Sequence, residues 1–253
     1  MAHILVTNDD SIQSPGLLAL KNALSAVGRV TVMAPDHNWS AGGHVKTLHK
    51  PLRVNEARLI DGTAVLTTNG APSDCVALAC LGIIPEPIDL VVSGINQGYN
   101  LGHDVTYSGT VTAAMEGVIF GIPSIAVSLG WGTAMDYDVA ARFAARLAPK
   151  VLERGLPPYT LLNVNVPNLP ADQIKGVLVT RQGLRKYRDE LVKRLDPRGR
   201  PYYWIAGEPE DELEEEGTDV WAVRNGYISV TPLHLDLTAH GMLERLREWE
   251  LDI

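Results

Sequence analysis

Cysteine is nearly absent from this chain, which holds only Cys75 and Cys80. Neither their number nor their spacing makes a disulfide scaffold or a zinc site. In the helix expected there they read as small buried apolar residues. Positive charge is also short: 22 Lys and Arg stand against 30 Asp and Glu, a net charge of −8. A basic stripe for a nucleic-acid backbone is therefore not expected. A phosphorylated small molecule can still bind if a metal ion or a helix N-terminus supplies local positive charge. No apolar run is long enough to span a bilayer. The opening Met1-Ala-His-Ile4 enters a strand pattern without a basic start and an apolar signal core. The expectation is a cytoplasmic protein with neither a membrane nor a nucleic-acid partner.

The 253 residues that are present, 45% hydrophobic and 21% charged, suffice for a large core without staples. His3-Ile-Leu-Val-Thr7 reads as a buried parallel strand. Ser14-Pro15 opens a helix carrying Leu17, Leu20, Leu24 and Val27, stopped by Gly28. Val30-Thr-Val-Met-Ala34 follows as a strand. Residues 36–50 are a polar loop, and Asp61-Gly62 centres a hairpin. Helices are expected over 72–81, 110–120 and 136–154, the last with Val139, Phe143 and Leu147 on one face. Strands are expected over 88–93, 122–129, 160–165, 176–180 and 227–231. This alternation predicts an α/β fold, a doubly wound and mostly parallel sheet over residues 1–155. Residues 156–253 are expected to complete one domain by packing beside that core and supplying subunit contacts. Within them, 185–200 reads as a basic loop, 208–216 as an acidic solvated loop, and 237–249 as an amphipathic helix.

Ligands of an open parallel sheet bind outside the carboxyl ends of its strands. The residues that follow the strands here are Asn8, Asp9 and Asp10; Asp36 and the loop with Ser40; Thr68, Asn69 and Gly70; and Gly94, Ile95 and Asn96. Two adjacent carboxylates at the end of a buried strand are costly to keep ionised. A divalent cation removes that cost, provided the chain turns at Asn8-Asp-Asp-Ser-Ile so that both can reach one ion. The alternative is a solvent-facing turn. Oxygen ligands favour Mg²⁺ or Mn²⁺. No Gly-x-Gly-x-x-Gly follows the first strand, which speaks against a dinucleotide site, and the pair lacks the Asp-x-Asp spacing of aspartyl-phosphate enzymes. Tyr107-Ser-Gly-Thr110 precedes a helix and suits either an anion or an ordinary cap. Residues 93–102, rich in Gly and Asn, read as a long functional loop. His44 and His103 could contact substrate but read better as surface histidines, and Trp39 could stack on a base but reads better as cover for its loop.

Thr7-Asn-Asp-Asp10, Ala34-Pro-Asp36 with Ser40, and Ser93-Gly-Ile-Asn-Gln-Gly-Tyr-Asn-Leu-Gly102 together resemble the survival protein E (SurE) family of 5′-nucleotidases. So do Asp104-Val-Thr-Tyr-Ser-Gly-Thr-Val111, Ala113-Ala-Met-Glu-Gly117, Gly217-Thr-Asp219 and Ser229-Val-Thr-Pro-Leu233. The resemblance implies a three-layer, Rossmann-like α/β/α core. It also implies a phosphatase with one divalent ion per subunit, acting on nucleoside 5′-monophosphates, with 3′-nucleotides and short polyphosphate as side substrates. It puts the metal on Asp9, Asp10, Ser40 and Asn96, makes Asp9, Asp10 and Asn96 catalytic, and places the substrate and its phosphate at Asn69, Asn100, Ser108, Gly109 and Thr110. A homodimer or homotetramer joined through the C-terminal region is implied as well. Three positions depart from the family pattern: Ser11 and Ala41 stand where it has glycine, and Val45 where it often has serine. If position 11 needs a positive φ, serine there is strained. The competing reading is a non-catalytic nucleotide- or metal-binding module in the same crevice.

Overall fold

The computed structural model describes residues 1–184, 186–210, 215–249 and 251. The strands are β1 (His3–Thr7), β2 (Arg29–Pro35), β3 (Val54–Arg58), β4 (Ala64–Thr68), β5 (Leu90–Gln97), β6 (Ser124–Leu129), β7 (Thr160–Val166), β8 (Gly176–Val179), β9 (Lys186–Leu195), β10 (Pro201–Glu210) and β11 (Tyr227–His234). The α-helices are α1 (Pro15–Leu24), α2 (Pro72–Leu78), α3 (Gly109–Ile119), α4 (Asp138–Arg154), α5 (Asp219–Arg224) and α6 (Leu243–Arg247).

Every residue of β1 is buried, as its unbroken apolar run requires of a strand covered on both faces. Ile4 and Val6 point to one face, where they meet Leu17, Leu20 and Leu24 of α1 and Ala140, Ala144 and Ala148 of α4. Leu5 points to the other, against Cys75 and Val76 of α2 and Ala113 of α3. Helices therefore cover both faces, giving three layers. Each fully buried leucine of α1 contributes roughly 1.5–3 kcal/mol. On α4 the small residues make the contact, and Val139, Phe143 and Leu147 flank it half-buried. The alanine face lets α4 lie close to α1.

The sheet has nine strands in the order β3-β4-β2-β1-β5-β6-β7-β11-β8. It is parallel from β4 to β7, with β3 antiparallel at one edge and β11 antiparallel to β7. The sheet runs straight through residue 155. Strands β7, β11 and β8 extend it, where the sequence suggested a region packed beside it.

Three expectations are corrected. The basic segment 185–200 is not a loop: β9 and β10 form a ten-rung antiparallel hairpin. Its turn is closed by Asp196, which accepts from the N–H groups of Arg198 (2.8 Å) and Arg200 (2.9 Å), and its second strand carries Tyr202, Tyr203, Trp204 and Ile205, residues that favour strands. Dense charge hid this pattern. Arg185 and residues 211–214 of the acidic run lie outside the described residues. The expected helix over 237–249 shrinks to a 3₁₀ turn, His240–Met242, and α6, neither with a buried residue. A segment with no surface to pack on cannot hold a long helix. Finally, half of the expected loop 93–102 belongs to β5, which continues to Gln97 through a register shift between Ser93 and Asn96.

Candidate active site

The chain does turn after β1. Ser11 takes φ 81°, its carbonyl accepts from Asn8 Nδ2 (3.0 Å) and from the Ser14 N–H (3.1 Å), and Asp9 and Asp10 are left at the carboxyl edge of the sheet. Asp9 is buried, and the Thr110 hydroxyl donates to it. The Trp39 N–H donates to the Asp9 carbonyl (2.8 Å), which draws the loop after β2 over the edge. Asn38 joins that loop to the pair. Its Nδ2 donates to Asp10 Oδ1 (3.3 Å), and its Oδ1 accepts from the Ser40 N–H (2.7 Å). From the β5 side the Gln97 N–H approaches Asp10 Oδ2 (3.4 Å). Asn96 donates its Nδ2 to the Gly98 carbonyl (3.0 Å), which leaves Oδ1 as the end able to ligate.

The electrostatics are unusual for two neighbouring acids. Burial raises the Asp9 pKa, against the bond from Thr110 and the N–H groups of Gly109 and Thr110. Asp10 is pushed up to about 6 by burial and then by the charge of Asp9, against Gln97 and Asn38. Among the described residues neither forms an ion pair with Lys, Arg or His. Two carboxylates, an amide oxygen and a hydroxyl, without a basic counter-ion, suit a hard divalent cation. No cluster of three or more His, Cys, Asp or Glu side chains able to hold a metal exists among the described residues, so a nitrogen- or sulfur-rich centre is not built.

The N-terminus of α3 faces this pair. A Cβ added to Gly109 would lie 2.7 Å from Asp9 Cβ, so only glycine lets the helix end sit against the acid. The two hydroxyls expected at the phosphate are engaged within the protein. Ser108 Oγ caps α3 by accepting from the Val111 N–H (3.1 Å), and the Thr110 hydroxyl holds Asp9. The first-turn N–H groups are engaged as well, those of Gly109 and Thr110 at Asp9 and that of Val111 at Ser108, so what the helix end offers an anion is the positive end of its dipole.

The remaining expected contacts divide. Asn69 lies half-buried at the end of β4, where its Oδ1 accepts from the Arg53 N–H (3.0 Å). Asn100 is buried under the loop rather than facing the crevice. It donates Nδ2 to Ser128 Oγ (2.8 Å) and its N–H to Asn165 Oδ1 (2.8 Å), and its carbonyl accepts from Asn163 and Asn165. It braces the segment that carries Asn96. His44 is on the surface, yet its Nε2 meets the buried Glu116 (2.9 Å), which Lys46 also contacts (3.2 Å). Sequence reasoning gave no role to Asn38, although it sits two residues before Ser40, or to Asp219. That buried carboxylate accepts from the N–H groups of Gly102 (2.9 Å), Gly183 (2.8 Å) and Val220 (2.8 Å), tying the loop before α3 to the chain entering β9.

Comparison with known proteins shows the family. The family model described as Survival protein SurE matches residues 4–189. A protein of Herpetosiphon aurantiacus named 5′-nucleotidase SurE is 56% identical over 246 residues, 96% of each chain. One of the same name from Chloroflexus aggregans is 56% identical over 251 residues, 98% of this chain and 99% of that one. The crystal structure of the SurE protein from Aquifex aeolicus superposes with a TM-score of 0.85 at 48% identity, covering 98% of this chain and all of that one. With a matching model over most of its length and relatives this similar end to end, the chain belongs to the survival protein SurE family.

Proposed function

We propose that the chain is a divalent-metal-dependent 5′-nucleotidase that converts nucleoside 5′-monophosphates to nucleoside and phosphate. The observation that carries this reading is the meeting of Asp9 with the N-terminus of α3 beside Asp10, a pair of acids without a basic partner among the described residues. The name shared by the Herpetosiphon and Chloroflexus relatives supports it. Asp9, Asp10, Ser40 and Asn96 would hold one Mg²⁺ or Mn²⁺ ion. Such an ion, when bound, neutralises charge on the phosphate and acidifies water. The chain's own contribution is placement. The positive end of α3 stabilises the charge that grows on the phosphoryl group as the ester bond breaks, while its Gly109 and Thr110 N–H groups hold Asp9 in place. Thr110 fixes the rotamer of Asp9, and Asn38 links the Ser40 backbone to Asp10. As side substrates we propose 3′-nucleotides and short polyphosphate. We also place a homodimer or homotetramer contact in the C-terminal region, where Leu191, Leu195, Tyr203, Trp204 and Ile205 of the hairpin are exposed.

The test is phosphate release from AMP with Mg²⁺ or Mn²⁺, with and without EDTA, in the wild type and in Asp9→Asn. Release that needs the ion and falls by at least about 100-fold in the folded variant is expected. An Asp9→Asn protein as active as the wild type sinks the site assignment. A wild type that binds AMP without turnover leaves the non-catalytic binding module.

A further inference from the structure

Carboxylates and a helix end recognise a phosphate, but they do not distinguish a nucleotide from any other phosphomonoester. That distinction needs a group at the far end of the crevice, where the base would lie. The loop after β6 supplies one. Trp131 is 70% exposed, and the edge of its indole rests on Gly98: a Cβ added there would fall 2.6 Å from Trp131 Nε1 and 3.3 Å from the next ring atom. Gly98 has φ +120°, so position 98 is reserved for glycine both by backbone and by the ring above it. The backbone under the ring is fixed. The Gly98 N–H donates to the Leu129 carbonyl (2.8 Å), and the Gly98 carbonyl accepts from Asn96 Nδ2 (3.0 Å). Tyr99 packs back across Gly130 in the reverse sense. The indole is thus seated on the same short segment that carries Asn96, with most of its surface open.

Its distance from the acids also fits. Strands β1, β5 and β6 are successive neighbours, so the loop bearing Trp131 starts two strand spacings from Asp9, about 10 Å at roughly 4.8 Å per strand. A nucleoside monophosphate spans that distance between its phosphorus and the far ring atoms of its base. The other aromatics nearby are less suited. Trp39 is half-buried and tilted at 36° against His37, ring centres 5.1 Å apart, and Tyr107 adjoins Ser108 at the phosphate end.

We propose that Trp131 is the platform on which the substrate's base stacks, a specificity-determining residue of the nucleotidase proposed above, on which reading it rests. Stacking accepts any base because every base has a π face. The consequence is tolerance among bases together with selection against phosphomonoesters that lack one.

AMP and ribose 5-phosphate, which share the phosphoribosyl group, separate the two effects. Trp131→Ala and Trp131→Phe are compared with the wild type by steady-state kinetics and by calorimetric binding of both compounds. The alanine variant is expected to raise KM for AMP on the order of ten-fold with little change in kcat. Ribose 5-phosphate should be unaffected, and phenylalanine should restore most of the loss. Equal losses for both compounds, or none for AMP, overturn the proposal. If the wild type releases no phosphate, the hydrolase reading fails and calorimetry decides the platform alone. Tighter binding of AMP than of ribose 5-phosphate, lost in Trp131→Ala, upholds it; no preference in the wild type overturns it.

Discussion

Gly109 and Asp9 touch so closely that a methyl group at position 109 would sit 2.7 Å from Asp9 Cβ and 2.9 Å from its Oδ2. Gly109→Ala should therefore displace the carboxylate from the end of α3. Gly109 is the first residue of α3, after the Ser108 cap, so the rest of the helix should still form. A shift near 1 Å at a reacting group costs on the order of 100-fold in rate. The expected outcome is a folded protein with a lowered melting temperature, because the clash is with the Cβ of a buried residue, and with kcat/KM on AMP lower by about that factor. Undiminished activity would mean that the contact between helix end and acid does not matter to the reaction.

The two glycine positions that this chain fills differently both have positive φ: 81° at Ser11 and 57° at Ala41. Left-handed backbone costs a residue with a Cβ about 1–2 kcal/mol. Glycine removes that strain and adds unfolded-state entropy worth roughly 0.5–1 kcal/mol. Ser11→Gly and Ala41→Gly should each leave a net gain of up to about 1 kcal/mol, seen as a melting temperature higher by about 2–4 °C. Scanning calorimetry of the single and double variants checks this. A fall in melting temperature would show that the Ser11 hydroxyl, 3.3 Å from the Gln13 N–H, outweighs the strain.

How far the sequence could be read depended on where each pattern got its meaning. Strands β1 and β6 were legible because a strand covered on both faces is mostly apolar, a local property. The hairpin of β9 and β10 was not, because it has no core to alternate against, and its charges look like those of a solvated loop. In the site, strand-end reasoning brought Asp9, Asp10, Ser40 and Asn96 to one edge, and the fold places them there. It could not show that Asn100 turns inward, since that follows from Asn163, Asn165 and Ser128, some 30 to 65 positions away. Nor could it single out Trp131, a lone tryptophan in a Gly-containing loop, because its contact with Gly98 exists only in the fold.

Proton binding should compete with the metal ion at Asp10. Its carboxyl is raised to about 6 by burial and by the neighbouring Asp9, which is itself raised. Carboxylates must lose their protons to ligate a cation, so affinity follows pH. Between pH 7.5 and 5 the apparent affinity for Mn²⁺ should fall by at least about ten-fold, with protons released on binding in the middle of that range. The same shift gives the metal-free protein an opposite pH dependence from the usual acid. A carboxyl whose folded pKa lies above its unfolded value binds its proton more tightly when folded. The stability it lends is fully present below the unfolded value of 3.8 and is lost as pH rises through about 6. With EDTA, stability at neutral pH should rise on lowering the pH toward 5. With saturating Mg²⁺ or Mn²⁺ that gain should vanish, because the ion already offsets the charge. Asp10→Asn should shrink the pH dependence both of stability without metal and of what binding is left, with Asp9 accounting for the remainder. Calorimetric titration of Mn²⁺ at several pH values, with melting curves alongside, reads both effects. A metal affinity that does not change from pH 7.5 to 5 would show that the cation is held elsewhere.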